Sequence, residues 1–474
     1  MSRRNQIIER VSVQDYAAEG RALARLDGKV IFIEGGAVPG DEVDVQLVKD
    51  RKDWALARVI RFHTYAPDRV EPFCKHFGVC GGCAWQMLPY QQQLQYKQRQ
   101  VEQVFQHIGQ LRFPAIRPIL PADPVIRYRN KAEFTASDRA FLPGQEWQTT
   151  AQKGELPPPA LGYHVPRRFD RVLHIETCDL VPEPVNRLRN RVHAFVWQQQ
   201  QKLGYQLFYH IKHHTGWLRG LSVRINKQQE VMANLIFAYE DQQLCQALCE
   251  MLLKEIPELS SLYVTLNAKR NDSLHDLQPK LVHGPGYLLE RVGNYVFKIG
   301  PKSFFQTNSY QAERLYDQVK QLAALSGQET VYDLYCGTGS IGIYVAEGAA
   351  RVIGIEQILE AVEDARENVR LNGVSHVHIQ AGDVVDVWDE AFIAQHGRPD
   401  VVITDPPRAG MHARLIDRLL RIRPRVLIYV SCNPATQARD LQLLQQAYQI
   451  DVVQPVDMFP HTHHIENIVR LSSV

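Results

Sequence analysis

A glycine-rich turn joins an apolar strand-like run to a helical one in residues 331–342 (VYDLYCGTGSIG), and it narrows the possible folds more than any other segment. Glycines at such a turn let the backbone approach a ligand that bulkier side chains would exclude. From about residue 299 onward, apolar runs alternate with helical patterns. This alternation predicts a multi-domain α/β protein whose last domain is a doubly wound parallel sheet. Its predicted strands are VYDLY, RVIGIE, HVHIQ, PDVVITD and VLIYVS, and its predicted helices are 310–325, 357–372 and 434–448.

Two further regions precede this domain. Residues 1–63 contain short alternating runs separated by glycines, which predict a small β-barrel. Residues 64–298 predict an α+β domain with a cysteine-rich loop, a helix over 90–109 and one later helix near 241–255. Because 474 residues are too many for one hydrophobic core, we expect three domains, the last over 299–474.

Composition and charge exclude several classes of protein. The formal net charge is only +2, so any nucleic-acid surface must come from local clusters of cations. The N-terminus lacks the apolar stretch of a signal peptide, and apolar runs such as 426–430 are far shorter than the ~20 residues that cross a bilayer. We therefore expect a cytoplasmic protein without a membrane partner. Its eight cysteines are then expected to serve catalysis or metal binding rather than disulfides.

The glycine turn by itself fits two classes of enzyme. Its Gly337-x-Gly339-x-x-Gly342 spacing matches the dinucleotide-binding fingerprint, which is a weak signal. Glu356 ends the next strand, where its carboxylate suits a ribose of either NAD or S-adenosylmethionine (AdoMet). A nicotinamide oxidoreductase is therefore the alternative from a different class.

Three later features favour a methyltransferase over an oxidoreductase. Asp383 follows a third strand, where a carboxylate can accept a hydrogen bond from an adenine amino group. The segments 405–408 (DPPR) and 431–434 (SCNP) follow two further strands, at the edge where open α/β sheets bind ligands. Asp333 is expected to order the glycine turn rather than to touch a substrate.

Cys432 and Glu466 are the candidate reactive groups. Cys432 lies at the tip of a buried strand, so it is either a small core residue or an activated thiolate presented to the crevice. Glu466 ends the polar segment 457–466 (DMFPHTHHIE) and becomes a general base if it is partly removed from water. The histidines of this segment (His461, His463, His464) suggest zinc, but no nearby cysteine completes a ligand set.

Five segments in this order resemble the RNA uridine-5-methyltransferases: SFFQTN (303–308), DLYCGTG (333–339), DPPRAG (405–410), SCNPATQARD (431–440) and DMFPHTHHIE (457–466). The resemblance extends over the whole chain and implies that AdoMet supplies a methyl group to C5 of a uridine in RNA. It implies that Cys432 attacks C6 as the nucleophile and that Glu466 removes the C5 proton. A non-catalytic RNA-binding protein, the other alternative, would need neither residue.

The same resemblance implies which residues hold the cofactor. Ser340 stands where many members carry asparagine, which leaves one cofactor contact open. Arg408 stands where methyltransferases of exocyclic amines place an aromatic residue, so it favours methylation at carbon. Asp405 is also expected to hold the uracil edge. The implied residues of the AdoMet and base pocket are Gln306, Tyr335, Glu356, Asp383 and Asp405.

The cysteine-rich loop has the spacing of a metal site. Cys74-x5-Cys80-x2-Cys83 supplies three thiolates, and Cys178 is the natural fourth. The spacing alone allows either tetrahedral zinc or a [4Fe–4S] cluster. Resemblance to related 5-methyluridine enzymes implies the iron–sulfur cluster. The remaining cysteines, expected to pack in the core, are Cys245, Cys249 and Cys336.

Several basic residues are candidates for contact with RNA. Residues 1–63 resemble a TRAM domain, an oligonucleotide-binding type of barrel. In RYRNKAEF, Arg127, Arg129 and Lys131 alternate, so on a strand they would share one face and contact the RNA backbone. Further candidates are Arg21, Arg25, Lys49, Arg51, Lys52, Arg167 and Arg168.

The expected substrate is 23S ribosomal RNA, because the added barrel and cluster resemble the ribosomal branch of the family. Transfer RNA is the alternative. The target uridine must leave its base stack to reach Cys432, so we expect it in a loop or an opened stem. We expect the enzyme to be a monomer.

Overall fold

The computed structural model describes residues 5–17 and 20–474. Its first strands are β1 (Ile7–Ser12), β2 (Asp15–Tyr16), β3 (Ala22–Leu26), β4 (Lys29–Glu34), β5 (Glu42–Asp50) and β6 (Trp54–Thr64). They form one sheet in the order β1-β5-β6-β4-β3-β2. Small and β-branched side chains such as Val43, Val45 and Ala57 are fully buried on its inner face.

The helix predicted over 90–109 is α1 (Tyr90–His107). Its apolar residues Val101, Val104 and Phe105 are buried in the core of the C-terminal domain, where α1 packs against the last helix of the chain. A segment close to the N-terminal sheet in sequence therefore belongs to the scaffold of the C-terminal domain.

The middle of the chain is built on a seven-stranded sheet. Its strands are β7 (Lys131–Ser137), β8 (Ala160–His164), β9 (Val172–His174), β10 (Leu218–Ile225), β11 (Val231–Phe237), β12 (Leu259–Leu266) and β13 (Lys280–His283). Their order is β13-β12-β11-β10-β7-β8-β9. A hairpin of β14 (Leu288–Val292) and β15 (Tyr295–Ile299) follows and leads into the last domain.

The prediction of a single helix in the middle region is wrong. Three helices occur there among the described residues: α2 (Gly144–Gln152), α3 (Glu183–Leu203) and α4 (Gln242–Glu255). Only α4 matches the predicted helix near 241–255. Helix α3 buries Val185, Leu188, Val192 and Val196 at helical spacing. Arginine and asparagine residues fill most of the positions between them, which obscures this apolar stripe in the sequence.

The C-terminal domain is the predicted doubly wound α/β domain. Its strands are β16 (Thr330–Leu334), β17 (Arg351–Glu356), β18 (Val377–Ala381), β19 (Val401–Thr404), β20 (Val426–Ser431), β21 (Tyr448–Val456) and β22 (Glu466–Ser473). Its helices are α5 (Ser309–Ala323), α6 (Ser340–Val345), α7 (Leu359–Leu371), α8 (Val384–Val387), α9 (Glu390–His396), α10 (Ala413–Ile422) and α11 (Pro434–Leu444). All five predicted strands and all three predicted helices are present.

The strand order β18-β17-β16-β19-β20-β22-β21 decides where the motifs meet. The first five strands are parallel neighbours, so their carboxyl ends share one edge of the sheet. Strand β22 runs antiparallel between β20 and β21. The sequence analysis did not predict this last hairpin. Across residues 5–17 and 20–474, the longest and most apolar helices fall short of what would be needed to cross a membrane.

Candidate active site

Strand register brings Cys432 and Glu466 together. Strand β20 ends at Ser431, which pairs with Asn467 of the antiparallel strand β22. Cys432 follows directly after the end of β20 and Glu466 is the first residue of β22, so the two side chains are brought close together and line the same cavities. Cys432 is followed at once by α11, where the Asn433 side chain accepts a hydrogen bond from a backbone N–H of the first turn over 3.1 Å. The cysteine is thus fixed between the end of a buried strand and a capped helix.

Burial raises the pKa values of three acidic side chains at this site, Cys432, Asp405 and Glu466. Burial, assisted by the Glu466 and Asp405 carboxyls, raises the pKa of the Cys432 thiol to about 11. Burial also raises the pKa of Asp405 to about 7. Burial and the neighbouring Asp405 raise the pKa of Glu466, which is only 6% exposed, well above its usual range. Burial thus favours the protonated forms of these groups, and a cation bound beside the carboxyls would favour release of their protons.

Arg408 opposes this effect at the thiol. Its charge and a hydrogen bond from its guanidinium both lower the pKa of Cys432. The same guanidinium donates a hydrogen bond of 3.2 Å to Nδ1 of His464. Burial lowers the pKa of His464 to about 4, so the ring is neutral and can accept this bond. His464 therefore helps to hold the Arg408 cation against Cys432.

We expect iodoacetamide to alkylate Cys432 slowly at pH 7 and faster toward about pH 11, because only the thiolate reacts. Arg408→Gln keeps a hydrogen-bond donor but removes the charge, so its rate profile should shift to higher pH. The rate is followed by mass spectrometry of the Cys432 peptide, with the Cys245 peptide from the same digest as the reagent control. An unchanged profile in Arg408→Gln would contradict the role of this cation.

Two cavities meet at the reactive pair. The first has a volume of about 380 Å³ and lies along the glycine turn. The second has a volume of about 580 Å³ and extends to the cysteine-rich loop. Both cavities are lined by Arg408, Cys432, Phe459 and Glu466. Two different reactants can therefore reach the thiol and the carboxyl, one from each cavity.

Four of the five predicted cofactor residues line cavities. Gln306, Tyr335 and Asp405 line the first cavity, next to the glycine turn. Tyr335 also lines a further cavity of about 610 Å³ together with Asp383. Tyr335 has a φ of 65°, a left-handed conformation that is uncommon for a bulky residue and turns the chain from β16 into the glycine turn.

Glu356 and Asp333 accept hydrogen bonds from the backbone of the glycine turn. Asp333 Oδ2 accepts a hydrogen bond of 2.8 Å from the Gly342 backbone N–H, which confirms that Asp333 orders the turn. The Glu356 carboxylate accepts one bond of 3.0 Å from Gly337 N–H and another of 2.8 Å from Ile358 N–H. Glu356 does not line the two cavities that Tyr335 lines. Its contact with a ribose stays a prediction.

Residues 457–466, here called the catalytic loop, are anchored by helix α1. Lys97 Nζ lies 2.6 Å from Asp457 Oδ1, and neither side chain is exposed. The same ammonium donates to the Phe459 carbonyl over 3.1 Å. The Tyr90 hydroxyl donates to the other Asp457 oxygen over 2.8 Å. A residue that lines both cavities, Phe459, is thus positioned by a lysine 362 residues earlier in the chain.

The sequence analysis missed this anchor. Its only local signal is that Lys97 interrupts the apolar face of α1 between Leu94 and Val101, at helical spacing. A lysine at such a position is rarely buried without a partner, but the pattern does not say which acid the partner is. Three more side chains form hydrogen bonds with the backbone of the catalytic loop. Gln93 accepts a bond from the His461 N–H. Tyr128 donates to the Pro460 carbonyl, and Asn308 donates to the Met458 carbonyl.

The fold brings the fourth cysteine to the other three. The second cavity is lined by the free thiols of Cys74, Cys80, Cys83 and Cys178. Burial, together with the nearby thiols, raises the pKa of Cys80 to about 11 and that of Cys83 to about 12. Gly81 has a φ of 75° and leaves no room for a side chain, because a Cβ there would lie 2.2 Å from Pro166. The loop is therefore packed closely against the middle domain.

The donor set of this cavity fits a group that prefers thiolates. Among the side chains of residues 5–17 and 20–474, no three from His, Cys, Asp and Glu stand close enough to hold one metal ion. That finding covers both the four thiols and the three histidines of the catalytic loop. It does not extend to a larger cluster, whose thiolate ligands stand farther apart than those of a single ion.

The three cations predicted to share a strand face do not do so. Strand β7 begins only at Lys131, which pairs with Glu133 over 2.8 Å. Arg127 is exposed and has a φ of 54°, while Arg129 lies in the wall of the second cavity. The reason is Tyr128, whose buried ring is tied to the catalytic loop and keeps this stretch out of the sheet. Contact of the three cations with RNA stays a prediction.

Two family models match this chain. The model for tRNA (uracil-5-)-methyltransferase matches residues 174–474, which includes all of the site around Cys432. The model for the TRAM domain matches residues 5–60, the six-stranded N-terminal sheet. The TRAM match corresponds to the N-terminal sheet, and the methyltransferase match includes the whole C-terminal domain.

Relatives of similar length are described as RNA methyltransferases. An "uncharacterized RNA methyltransferase" of Bacteroides thetaiotaomicron is 44% identical and aligns over 96% of this chain and 99% of its own. Another from Porphyromonas gingivalis is 43% identical, over 97% and 99%. The crystal structure of a Pyrococcus abyssi tRNA (uracil-54, C5)-methyltransferase in complex with S-adenosyl-L-homocysteine is similar with a TM-score of 0.74. Its sequence is 26% identical, and the match covers 98% of this chain and 100% of that one.

Proposed function

The chain belongs to the family of RNA uracil-5-methyltransferases, and on that premise we propose that Cys432 and Glu466 carry out the methylation of a uridine at C5. The observation that supports this assignment most directly is the register of β20 and β22. It makes a thiol and a buried carboxyl neighbours at the junction of two cavities. One cavity adjoins the glycine turn and suits AdoMet, and the other leaves space for a base.

The proposed chemistry begins at Cys432. The thiol loses its proton, and its sulfur forms a bond to C6 while the electrons of the 5,6 double bond move onto C5 and O4. C5 then takes the methyl group of AdoMet, whose sulfonium becomes the neutral thioether of S-adenosylhomocysteine. The Glu466 carboxylate removes the C5 proton. The electrons of that C–H bond restore the double bond, and the bond between Cys432 and C6 breaks. One proton is released in each turnover.

Buried carboxyls beside the proposed cofactor cavity suit the positive charge of the AdoMet sulfonium. Asp405 lines the first cavity, and its raised pKa reflects burial without a cation. A cation in that cavity lowers the pKa of both Asp405 and Glu466. Binding of AdoMet therefore prepares Glu466 to act as a base only when the methyl donor is present.

The RNA substrate is proposed as 23S ribosomal RNA, with transfer RNA as the second candidate. The first rests on the combination of a TRAM domain with a loop of four cysteines. The second rests on the Pyrococcus abyssi structure, whose protein is named for uracil 54 of transfer RNA.

The test is methylation of unmodified 23S ribosomal RNA and unmodified transfer RNA, each incubated with the purified protein and AdoMet. Nucleosides from each digest are scored for 5-methyluridine by mass spectrometry. The matched variants are Cys432→Ala and Cys245→Ala, because Cys245 is also a free, partly exposed thiol but lies on helix α4. We expect 5-methyluridine in one RNA, its loss with Cys432→Ala and no loss with Cys245→Ala. If wild-type protein methylates neither RNA, the substrate assignment is wrong.

We further propose that Cys74, Cys80, Cys83 and Cys178 hold a [4Fe–4S] cluster. Four thiols that line one cavity of about 580 Å³ support the proposal. Such a cluster would tie the loop of residues 74–83 to Cys178 in the middle domain. Its contribution would be to order this wall of the second cavity, since the methyl transfer itself moves no single electrons.

Protein purified without oxygen is therefore expected to contain iron and sulfide in nearly equal amounts and to absorb visible light. Cys178→Ser should lose most of the iron, because one of four ligands is missing, whereas Cys245→Ser should keep it. Metal content is measured by elemental analysis and sulfide by a colorimetric assay. Stoichiometric zinc in place of iron, or unchanged iron in Cys178→Ser, would refute the cluster.

A further inference from the structure

We propose that the hairpin tip formed by residues 165–171, between β8 and β9, stacks the ring of Phe169 on a base of the RNA strand beside the target uridine. This inference rests on the proposed function, because it assumes that a uridine of an RNA strand enters the second cavity. The argument uses the order of the tip, its anchors, the exposure of its side chains and its place on the cavity rim.

The hairpin tip is closed by its own backbone hydrogen bonds. Strands β8 and β9 pair up to His164 and Val172. Beyond them, Val165 N–H donates to the Arg171 carbonyl over 2.9 Å. Inside the tip, Arg168 N–H donates to the Val165 carbonyl over 3.0 Å. The tip therefore has one defined shape and presents its side chains in fixed directions.

Contacts on three sides hold the tip in place. The Arg167 guanidinium binds both carboxylate oxygens of Glu34 from the N-terminal sheet, one of them over 2.9 Å. Lys212 Nζ lies 2.6 Å from Asp170. On the third side, Pro166 packs on Gly81 of the cysteine-rich loop, where no side chain would fit. A segment anchored to two other parts of the protein keeps its position when a ligand arrives.

Despite these anchors, the tip leaves its largest apolar side chain in water. Phe169 is 74% exposed, and no large apolar side chain within residues 5–17 and 20–474 is more exposed. Arg168 next to it is also exposed and forms no ion pair with any residue in those ranges. A single exposed apolar residue is common on protein surfaces and by itself indicates nothing. An ordered aromatic ring flanked by an arginine is, however, the combination that binds single-stranded bases.

The location of the tip identifies the partner. His164 and Pro166 line the same cavity as Cys432 and Glu466, so the tip stands on the rim through which a base must enter. A uridine that leaves its stack deprives its neighbours of a stacking partner. Phe169 is placed to replace that partner.

The charge around the tip fits the same partner. Four cations lie on or against the tip, and two carboxylates lie among them: Arg167, Arg168, Arg171 and Lys212, with Glu34 and Asp170. The surplus of positive charge favours a phosphate backbone over a neutral partner.

The test uses a fluorescein-labelled 12-nucleotide oligouridine and measures its Kd by fluorescence anisotropy. Phe169→Ala is expected to weaken binding roughly 5- to 150-fold, the range for loss of one stacked base. Phe169→Trp should bind as the wild-type protein does, since it keeps an aromatic face. Tyr205→Ala is the control, because Tyr205 is an exposed aromatic residue, 47% accessible, outside the second cavity.

A second oligouridine carries 2-aminopurine next to a central 5-fluorouridine, so that attack by Cys432 fixes the register. Wild-type protein should quench the 2-aminopurine through stacking, and Phe169→Ala should not. Equal Kd values for wild type and Phe169→Ala, or no quenching by the wild-type protein, would overturn the proposal. If Phe169→Ala binds RNA normally but fails only on intact ribosomal subunits, the tip contacts a protein instead. Failure of the proposed function itself would be seen in a different experiment, as absence of 5-methyluridine after the wild-type reaction.

Discussion

Glu466→Gln is expected to stop the reaction after methyl transfer, with the RNA still bonded to Cys432. Glutamine has nearly the shape of glutamate, so the packing of this buried position should be kept. It cannot accept the C5 proton, however, and the sulfur cannot leave until that proton is removed. The Cys432 side chain lies on the neighbouring strand and is untouched by the change. Turnover should fall by roughly 100-fold or more, as expected for the loss of a general base.

The adduct is measured as labelled RNA that migrates with the protein on a denaturing gel. It should appear with Glu466→Gln in the presence of AdoMet and disappear in the double variant Cys432→Ala/Glu466→Gln. Glu347→Gln, at an exposed glutamate of the same domain, is the matched control and should turn over normally. If Glu466→Gln turns over like the wild-type protein, another group is the base, and Asp405 in the same cavity would be the first to examine.

Lys97→Met is expected to destabilise the protein and to lower its activity together. The Lys97 ammonium is fully buried against Asp457, and burial lowers the pKa of the lysine while the aspartate opposes this. Methionine fills similar space but leaves the Asp457 carboxylate without its cation. Removal of one partner of a buried ion pair costs about 3–5 kcal/mol in free energy of unfolding. Because the same lysine binds the Phe459 carbonyl, the catalytic loop should also lose order.

The two effects are measured as the midpoint of thermal unfolding and as kcat for 5-methyluridine formation. In the double variant Lys97→Met/Asp457→Leu both charges are gone, and replacement of a buried pair by apolar groups is often neutral. We therefore expect it to recover most of the stability. Lys320→Met breaks an exposed ion pair with Glu347 and should change little. A Lys97→Met protein with wild-type unfolding and wild-type kcat would show that Lys97 does not anchor the loop.

Local signals in the sequence were sufficient to name the candidate residues of the site. Each of these signals is a short segment of adjacent residues: the glycine turn, the motifs at the carboxyl ends of strands, and the segment around Glu466. The fold brings them to one edge of the sheet. The predicted strands of the C-terminal domain are long apolar runs, which leave little ambiguity. Cys178 was predicted as the fourth thiol beside Cys74, Cys80 and Cys83, and the four line one cavity.

Features that depend on distant contacts could not be predicted. The alternation of Arg127, Arg129 and Lys131 looked like a strand, but the burial of Tyr128 against the catalytic loop overrides that local pattern. The ion pair of Lys97 joins residues 360 apart in sequence, and no local pattern names its partner. Cys432 and Glu466 were each recognisable, but their contact depends on the antiparallel insertion of β22, which the sequence analysis did not foresee.

The long separation of Lys97 from Asp457 has a consequence for synthesis of the protein on the ribosome. At ~5–20 residues per second, about 20–70 s pass between the emergence of the helix and that of its partner. During this interval the lysine has no acid to bury against, and the apolar face of its helix has no completed domain to cover it. The nascent chain therefore carries an unfinished surface until its last strands emerge. Chaperone demand and losses to proteolysis should accordingly fall mainly within this interval of translation.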